Sequence, residues 1–118
     1  MATISKVQLS GATNGRNILV TATATAGTLI HTATASANVL DEIWLWAANS
    51  STSDVKVTLE FGGVTAPNDH IEYTVPAEDG MYMLVPGFPI NGGVVVRAFA
   101  GTGSVIVING YVNRIDQN

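Results

Sequence analysis

Turn signals divide the chain into short segments, and their spacing limits what it can fold into. Gly, Pro, Asn-Gly and Asp-Gly positions recur about every ten residues, as at Asn14-Gly15 and Asp79-Gly80. The segments between them alternate apolar and polar residues with a period of two, and none has a helical period with caps. Such spacing predicts about eight or nine short strands. We expect an all-β fold, a two-sheet antiparallel sandwich that is jelly-roll-like, with an immunoglobulin-like sandwich as the alternative.

The most apolar unit is the segment 39–63, VLDEIWLWAANSSTSDVKVTLEFGG. Its first strand is apolar on both faces, with Trp44 and Trp46 on one of them, which is typical of a strand buried on both sides or covered at an interface. Its second strand, 55–61, alternates strictly and predicts one buried and one wet face. Because both tryptophans lie in this predicted hairpin, we expect it to anchor the core. The residues expected on the wet face are Lys56, Thr58 and Glu60.

Composition indicates one globular domain over residues 1–118 with few charges. Hydrophobic residues make up 47% of the chain and charged residues only 12%, which argues against disorder and suggests that partners cover part of the surface. The net charge is −4, and the five cations are scattered, so we expect no nucleic-acid partner. There is no cysteine, which excludes disulfides, thiolate metal sites and thiol nucleophiles.

Two segments bear on localisation. The opening MATISKVQLS has no apolar signal core, so we expect no signal peptide. Residues 17–40 carry no charge, but their threonines alternate as in strands, and we therefore reject a membrane-spanning helix.

The Thr/Ala alternation of 21–26 predicts part of a second strand, 16–25. A threonine-rich ice-binding face is an alternative that we rank below an ordinary wet strand face.

Isolated polar residues offer little catalytic chemistry. His31 lies in an apolar strand without an adjacent nucleophile, which favours a structural role. Asp41 and Glu42 are neighbours on a strand and point to opposite faces, so they cannot form a glycosidase pair by themselves. No nucleophile elbow and no phosphate-binding loop occur. We expect no enzyme and no cofactor.

A metal site is a second chemical hypothesis. Asp69-His70-x-Glu72 is the densest polar cluster, and Glu78 and Asp79 in the next turn would add oxygen ligands suited to calcium. We favour a solvated loop and strand edge, and predict no metal. Exposed aromatic residues offer sugar stacking as a weaker alternative. The candidates are Trp44, Trp46, Tyr73, Tyr82, Phe88 and Tyr111.

Several segments carry a family likeness. DEIWLWAANSSTSDVKVTLEFGG (41–63), APNDHIEYTVPA (66–77), VPGFPI (85–90), VVVRAFA (94–100) and INGYVNRI (108–115) together resemble small virion structural proteins of tailed bacteriophages. The likeness runs from about Lys6 to Ile115. It implies a β-sandwich of the capsid decoration (cement) type or of the head and tail accessory type. No functional residue carries over, because these motifs mark a fold rather than a site.

The resemblance implies a capsid decoration protein located in the virion and assembled in the host cytoplasm. Its partners would be the major capsid protein or other virion proteins, and further copies of itself in a homotrimer, with no membrane partner. The alternative is a receptor- or carbohydrate-binding module on a tail or head fibre. The residues predicted to contact a partner are Ala2, Thr3, Ile4, Ser5 and Lys6 at the N-terminus and Phe88, Pro89 and Ile90 in a later loop.

Overall fold

The computed structural model describes residues 2–118, and Met1 of the predicted domain lies outside the described residues. Those residues form nine β-strands that pack as two sheets, and they include no helix long and apolar enough to cross a membrane. The strands are β1 (Thr3–Gln8), β2 (Ile18–Val20), β3 (Thr28–Thr32), β4 (Val39–Asn49), β5 (Val55–Phe61), β6 (His70–Val75), β7 (Met81–Ile90), β8 (Val95–Ala100) and β9 (Ile106–Asp116).

The strand pairing is nested, which is the topology of a jelly roll. The larger sheet has the order β1-β9-β4-β7, with β2 also paired to β9, and the smaller sheet has the order β3-β8-β5-β6. From β2 onward the antiparallel pairs are therefore β2 with β9, β3 with β8, β4 with β7 and β5 with β6. This nesting is a long double hairpin folded over itself. The predicted jelly-roll-like antiparallel sandwich is confirmed.

The prediction of a central hairpin that anchors the core is wrong in two respects. Both of its strands form, but β4 joins the larger sheet and β5 joins the smaller one, so the loop 50–54 crosses between sheets. The two tryptophans also do not anchor the core, because they lie half-buried on the outer face of β4. The inner face of that strand supplies Ile43, Leu45 and Ala47, all of them fully buried.

Alternating side chains from both sheets fill the space between them. The largest fully buried apolar side chains are Leu9, Ile30, Ile43, Leu45, Leu59, Ile106 and Ile108. A buried side chain of this size contributes about 1.5–3 kcal/mol through removal of apolar surface from water. The core is therefore aliphatic, and the aromatic residues lie at its margins or on outer faces.

The outer face of β5 differs from the prediction. Lys56 is exposed as expected, but Thr58 and Glu60 are 1% and 0% exposed. Thr58 and Glu60 are buried because the predicted second strand, 16–25, does not form over its full length. The strand ends at Val20, and the segment 21–27 leaves the larger sheet as an irregular loop. Within this loop the Thr25 hydroxyl donates to Glu60 at 2.5 Å and the Gly27 N–H donates at 2.6 Å.

This loop explains why a strict Thr/Ala alternation fails to form a strand. The Ala100 N–H donates to the Ala22 carbonyl at 3.1 Å, and Gly27 lies against the backbone of Ala98, where a Cβ would collide. The loop therefore crosses β8 to reach β5, and threonine side chains satisfy local hydrogen bonds in place of a ladder. A threonine face of the kind that ice binding needs is absent from residues 21–25.

We predict that Glu60→Ala lowers the free energy of unfolding by about 2–4 kcal/mol, because it leaves the buried Gly27 N–H without an acceptor and removes the hydrogen bond from the Thr25 hydroxyl. The matched control is Glu72→Ala, which removes a solvent-exposed ion pair with Lys56 (3.3 Å) and should change stability by less than about 1 kcal/mol. Urea unfolding measures both values. Equal losses in the two variants would contradict the anchoring role of Glu60.

Candidate functional site

The outer face of the larger sheet carries a cluster of three aromatic side chains, Trp44, Trp46 and Tyr111, which we call the aromatic platform. Their ring centroids are 6.1–6.4 Å apart and their planes are within 15–24° of parallel. Alternation along β4 places both indoles on one face, and the register pairs Trp44 with Tyr111 on β9. All three side chains are half-buried, so the platform remains accessible to solvent.

Two glycines make room for the platform. Gly87 of β7 faces the Trp44 indole, and a Cβ there would lie 2.7 Å from its Cζ2 atom. Gly110 of β9 lies against the Trp44 carbonyl oxygen, where a Cβ would collide. The absence of both side chains lets the neighbouring strands approach β4 closely beneath and beside the indole.

Polar contacts hold the platform in place. The Trp44 indole N–H donates to Glu42 Oε1 at 2.9 Å, and Asn113 Nδ2 donates to the same oxygen at 3.0 Å. The hydrogen bonds from Asn113 and from the Trp44 indole keep the pKa of the Glu42 carboxyl below its usual value. On the other side, Lys6 Nζ lies 4.7 Å from the centroid of the Tyr111 ring, within range of a cation–π contact.

Two open cavities that share Asn109 lie beside the platform at the end where Trp46 lies, and we call them together the groove. Its aromatic part, about 410 Å³, is lined by Trp46, Met81, Asn109, Gly110 and Tyr111. Its polar part, about 550 Å³, is lined by Asn109, Ile18, Leu19 and four residues of the loop after β1, namely Gly11, Thr13, Arg16 and Asn17. Asn109 borders both parts, and its Nδ2 donates to Asn17 Oδ1 at 2.8 Å and to the Gly15 carbonyl at 3.2 Å.

The opposite end of the same face is aliphatic. The registers place Ile4 of β1, Ile115 of β9 and Leu40 of β4 side by side, and we call these three residues the apolar row. Ile4 is 70% exposed, more than any other large apolar side chain of residues 2–118. Lys6, Asn113 and Glu42 form the next row and separate the apolar row from the aromatic platform.

The two predicted partner segments lie at this same end of the larger sheet. Ala2 is exposed, and Thr3–Lys6 belong to β1 and are exposed throughout. The predicted loop at residues 88–90 is wrong, because these residues end β7, where Pro89 and Ile90 pair with Glu42 and Asp41 of β4. Phe88 is 44% exposed and packs edge-on against Phe61 of the other sheet, with centroids 6.1 Å apart. The partner contacts themselves remain a prediction.

The other two aromatic candidates lie elsewhere. Tyr73 of β6 and Tyr82 of β7 contact each other across the side of the sandwich, with centroids 5.6 Å apart. The Tyr82 hydroxyl donates to Asp79, and this hydrogen bond raises the pKa of Tyr82 to about 12. These residues close the gap between the sheets and do not extend the platform.

His31 belongs to a buried polar network. The Ser10 N–H donates to His31 Nδ1 at 3.0 Å, so Nε2 carries the proton and donates to Asp41 at 2.9 Å. Asp41 is fully buried and also accepts two hydrogen bonds from Arg114, at 2.7 and 3.0 Å, and one from the Thr34 N–H. Because His31 lies in one sheet and Asp41 in the other, the network joins the sheets, as a structural role requires.

The predicted acidic clusters do not converge. Asp41 points inward and Glu42 outward, as expected for neighbours on a strand. Asp69 accepts a hydrogen bond from the Thr65 N–H, and Glu72 forms its ion pair with Lys56. His70 packs edge-on against Phe99. Nowhere in residues 2–118 do three or more His, Asp or Glu side chains group in a way that would hold a metal ion.

The sequence analysis missed the groove and the buried acid. The groove combines β9 with a loop about 90 residues earlier in the chain, as the Asn109–Asn17 bond shows, and no local pattern links such distant residues. The burial of Asp41 could have been predicted, because alternation along the strand places it on the same apolar face as Ile43, Leu45 and Ala47.

No known protein family, curated protein or solved structure matches the chain.

We predict an acid-dependent loss of stability through Asp41. Burial acts to raise its pKa, but the hydrogen bonds from Arg114, His31 and Thr34 outweigh burial and hold the pKa below the ordinary value of 3.8. A depressed carboxyl pKa stabilises the fold above the unfolded value, and this contribution disappears as the pH falls through the folded value. Asp41→Asn should cost about 3–5 kcal/mol at pH 7.

The measurement is urea unfolding of both proteins between pH 7 and pH 2.5. The difference in unfolding free energy between the wild type and the variant should stay constant down to about pH 4 and become smaller below it. The reason is that only the wild type has the Asp41 carboxylate, whose stabilising charge is lost on protonation. Other carboxylates titrate in both proteins and cancel in the difference. A gap that stays constant at every pH would mean that Asp41 acts through packing alone.

Proposed function

We propose that this protein is a structural component of a tailed-bacteriophage virion, a capsid decoration protein that stabilises the head shell and is not an enzyme. The observation that supports this most is the apolar row, which includes Ile4 of one predicted partner segment and lies at the same end of the larger sheet as the other segment. Ile4 is 70% exposed there, next to Ile115 and Leu40. An exposed apolar patch at the end of a sheet is costly in water and is typical of an interaction site.

The surrounding chemistry favours a protein partner. The predicted contact residues carry one charge, that of Lys6, among Thr, Ser, Pro and apolar side chains. Depletion of charge with retention of apolar side chains is typical of interface cores. Docking onto the major capsid protein at this end would stabilise the shell by mass action, because a ligand that binds the assembled form and not the free subunits shifts the equilibrium toward assembly. We further propose a homotrimer, since trimers suit the local symmetry of quasi-six-fold shells.

The first test is the copy number of the protein in purified particles of the phage that encodes it, measured by quantitative mass spectrometry against the major shell protein. We expect a ratio near one to one. A handful of copies per particle would contradict shell decoration and favour the portal, tail or fibres. Absence from particles would overturn a virion role.

We predict that Ile4→Glu lowers occupancy on particles by at least about tenfold, because it places an unpaired charge in the docking surface. The matched control is Val64→Glu, at a 44% exposed loop position outside the larger sheet. Both sites are exposed, so both variants should fold with stability within about 0.5 kcal/mol of the wild type. Equal occupancy of the two variants would contradict docking through the apolar row.

A second candidate function is a receptor- or carbohydrate-binding module on a tail or head fibre. The aromatic platform favours it, because three near-parallel rings beside polar side chains suit the stacking of sugars. A low copy number together with glycan binding would support this function over shell decoration.

A further inference from the structure

The groove beside Trp46 joins two different chemistries. Its aromatic part and its polar part meet at Asn109, the one residue that lines both. The Asn109 amide is fixed by its bonds to Asn17 and Gly15 and by accepting the Gly110 N–H at 2.7 Å. The border between the two parts is therefore rigid, as a preorganised binding site requires.

The aromatic part suits a pyranose ring. Trp46 and Tyr111 present near-parallel rings, 6.1 Å between centroids, along one wall of the groove. The C–H groups on one face of a sugar are weakly positive and pack against the negative face of an aromatic ring. Met81, 52% exposed, adds a flexible apolar side chain that adapts to the shape of a ligand.

The polar part suits hydroxyl and carboxylate groups. Thr13 and Asn17 supply hydroxyl and amide groups for sugar hydroxyls. Arg16 is exposed and forms no ion pair with any acidic side chain of residues 2–118. A guanidinium group pairs with a carboxylate through two parallel hydrogen bonds. Lys6, above Tyr111, places a second positive charge beside the aromatic platform.

We infer that this groove binds an acidic oligosaccharide, with one sugar ring stacked on Trp46 and Tyr111 and the carboxylate of a uronic or sialic acid unit paired with Arg16. This inference deepens the carbohydrate-binding function and does not depend on shell decoration. Tyr111, the groove residue nearest to the apolar row along β9, lies four residues from Ile115, about 13 Å at 3.3 Å per residue. The groove therefore stays open when the apolar row is covered.

The test begins with the purified chain on an array of matched acidic and neutral oligosaccharides, followed by titration of the best ligand with tryptophan fluorescence as readout. We expect retention of acidic members carrying uronic or sialic acid. Arg16→Gln should weaken binding of that ligand by about 10- to 100-fold, the size of a charge-assisted hydrogen bond, and should abolish the preference for acidic over neutral sugars.

Trp46→Ala should weaken binding at least about tenfold, since it removes the stacking surface. Two control variants should bind as the wild type does. They are Lys56→Gln, an exposed cation on the smaller sheet, and Tyr73→Ala, an exposed aromatic on β6. Arg16 is exposed, so its variant keeps the fold and isolates the charge.

Three outcomes would overturn the inference: no acidic glycan is retained, only neutral glycans bind, or Arg16→Gln and Lys56→Gln weaken binding equally. None of these outcomes alters the copy number in particles, so failure of the glycan site is distinguishable from failure of the virion role. The Ile4→Glu variant should bind the glycan normally, because its substitution lies at the other end of the sheet.

Discussion

The pairing of β4 with β9 is the constraint on which the rest of the molecule depends. It runs through eleven residue pairs, from Val39 with Asp116 to Asn49 with Ile106, and joins segments at least 57 residues apart in the chain. Its inner face supplies central core residues, and its outer face carries the platform and most of the apolar row. Such long-range pairing costs loop-closure entropy before it brings any stabilisation, so the buried side chains must offset that cost.

A one-residue shift in this pairing would exchange the two faces, and three features oppose it. Gly110 must stay opposite Leu45, because a Cβ at that position would collide with the Trp44 backbone. Asp41 must stay opposite Arg114, because a buried carboxylate without its guanidinium would be strongly unfavourable. The alternation of aliphatic and aromatic residues fixes the same register independently, so packing, electrostatics and backbone sterics agree.

The sequence predicted the strands well because alternation and turn residues act locally. Nine strands form, in agreement with the eight or nine expected, and β5 has the predicted bounds 55–61. The sequence predicted side-chain burial poorly at places where segments distant in the chain meet. Thr58 and Glu60 have the pattern of a wet face, yet they are buried because the loop 21–27 returns across the smaller sheet. Nothing near Glu60 in the chain indicates the Gly27 N–H that binds it.

The same limit applied to the candidate sites. The docking end was partly accessible from sequence, because residues 2–6 and residues 88–90 were each predicted to contact a partner. The proximity of these two segments could not be predicted from the sequence. It depends on the sheet registers, which align both β1 and the end of β7 with the first residues of β4. Sheet registers thus placed docking residues at one end and the groove at the other. A protein fixed to a surface by its apolar end would present Trp46 and Arg16 outward, which makes attachment and glycan binding compatible in one small sandwich.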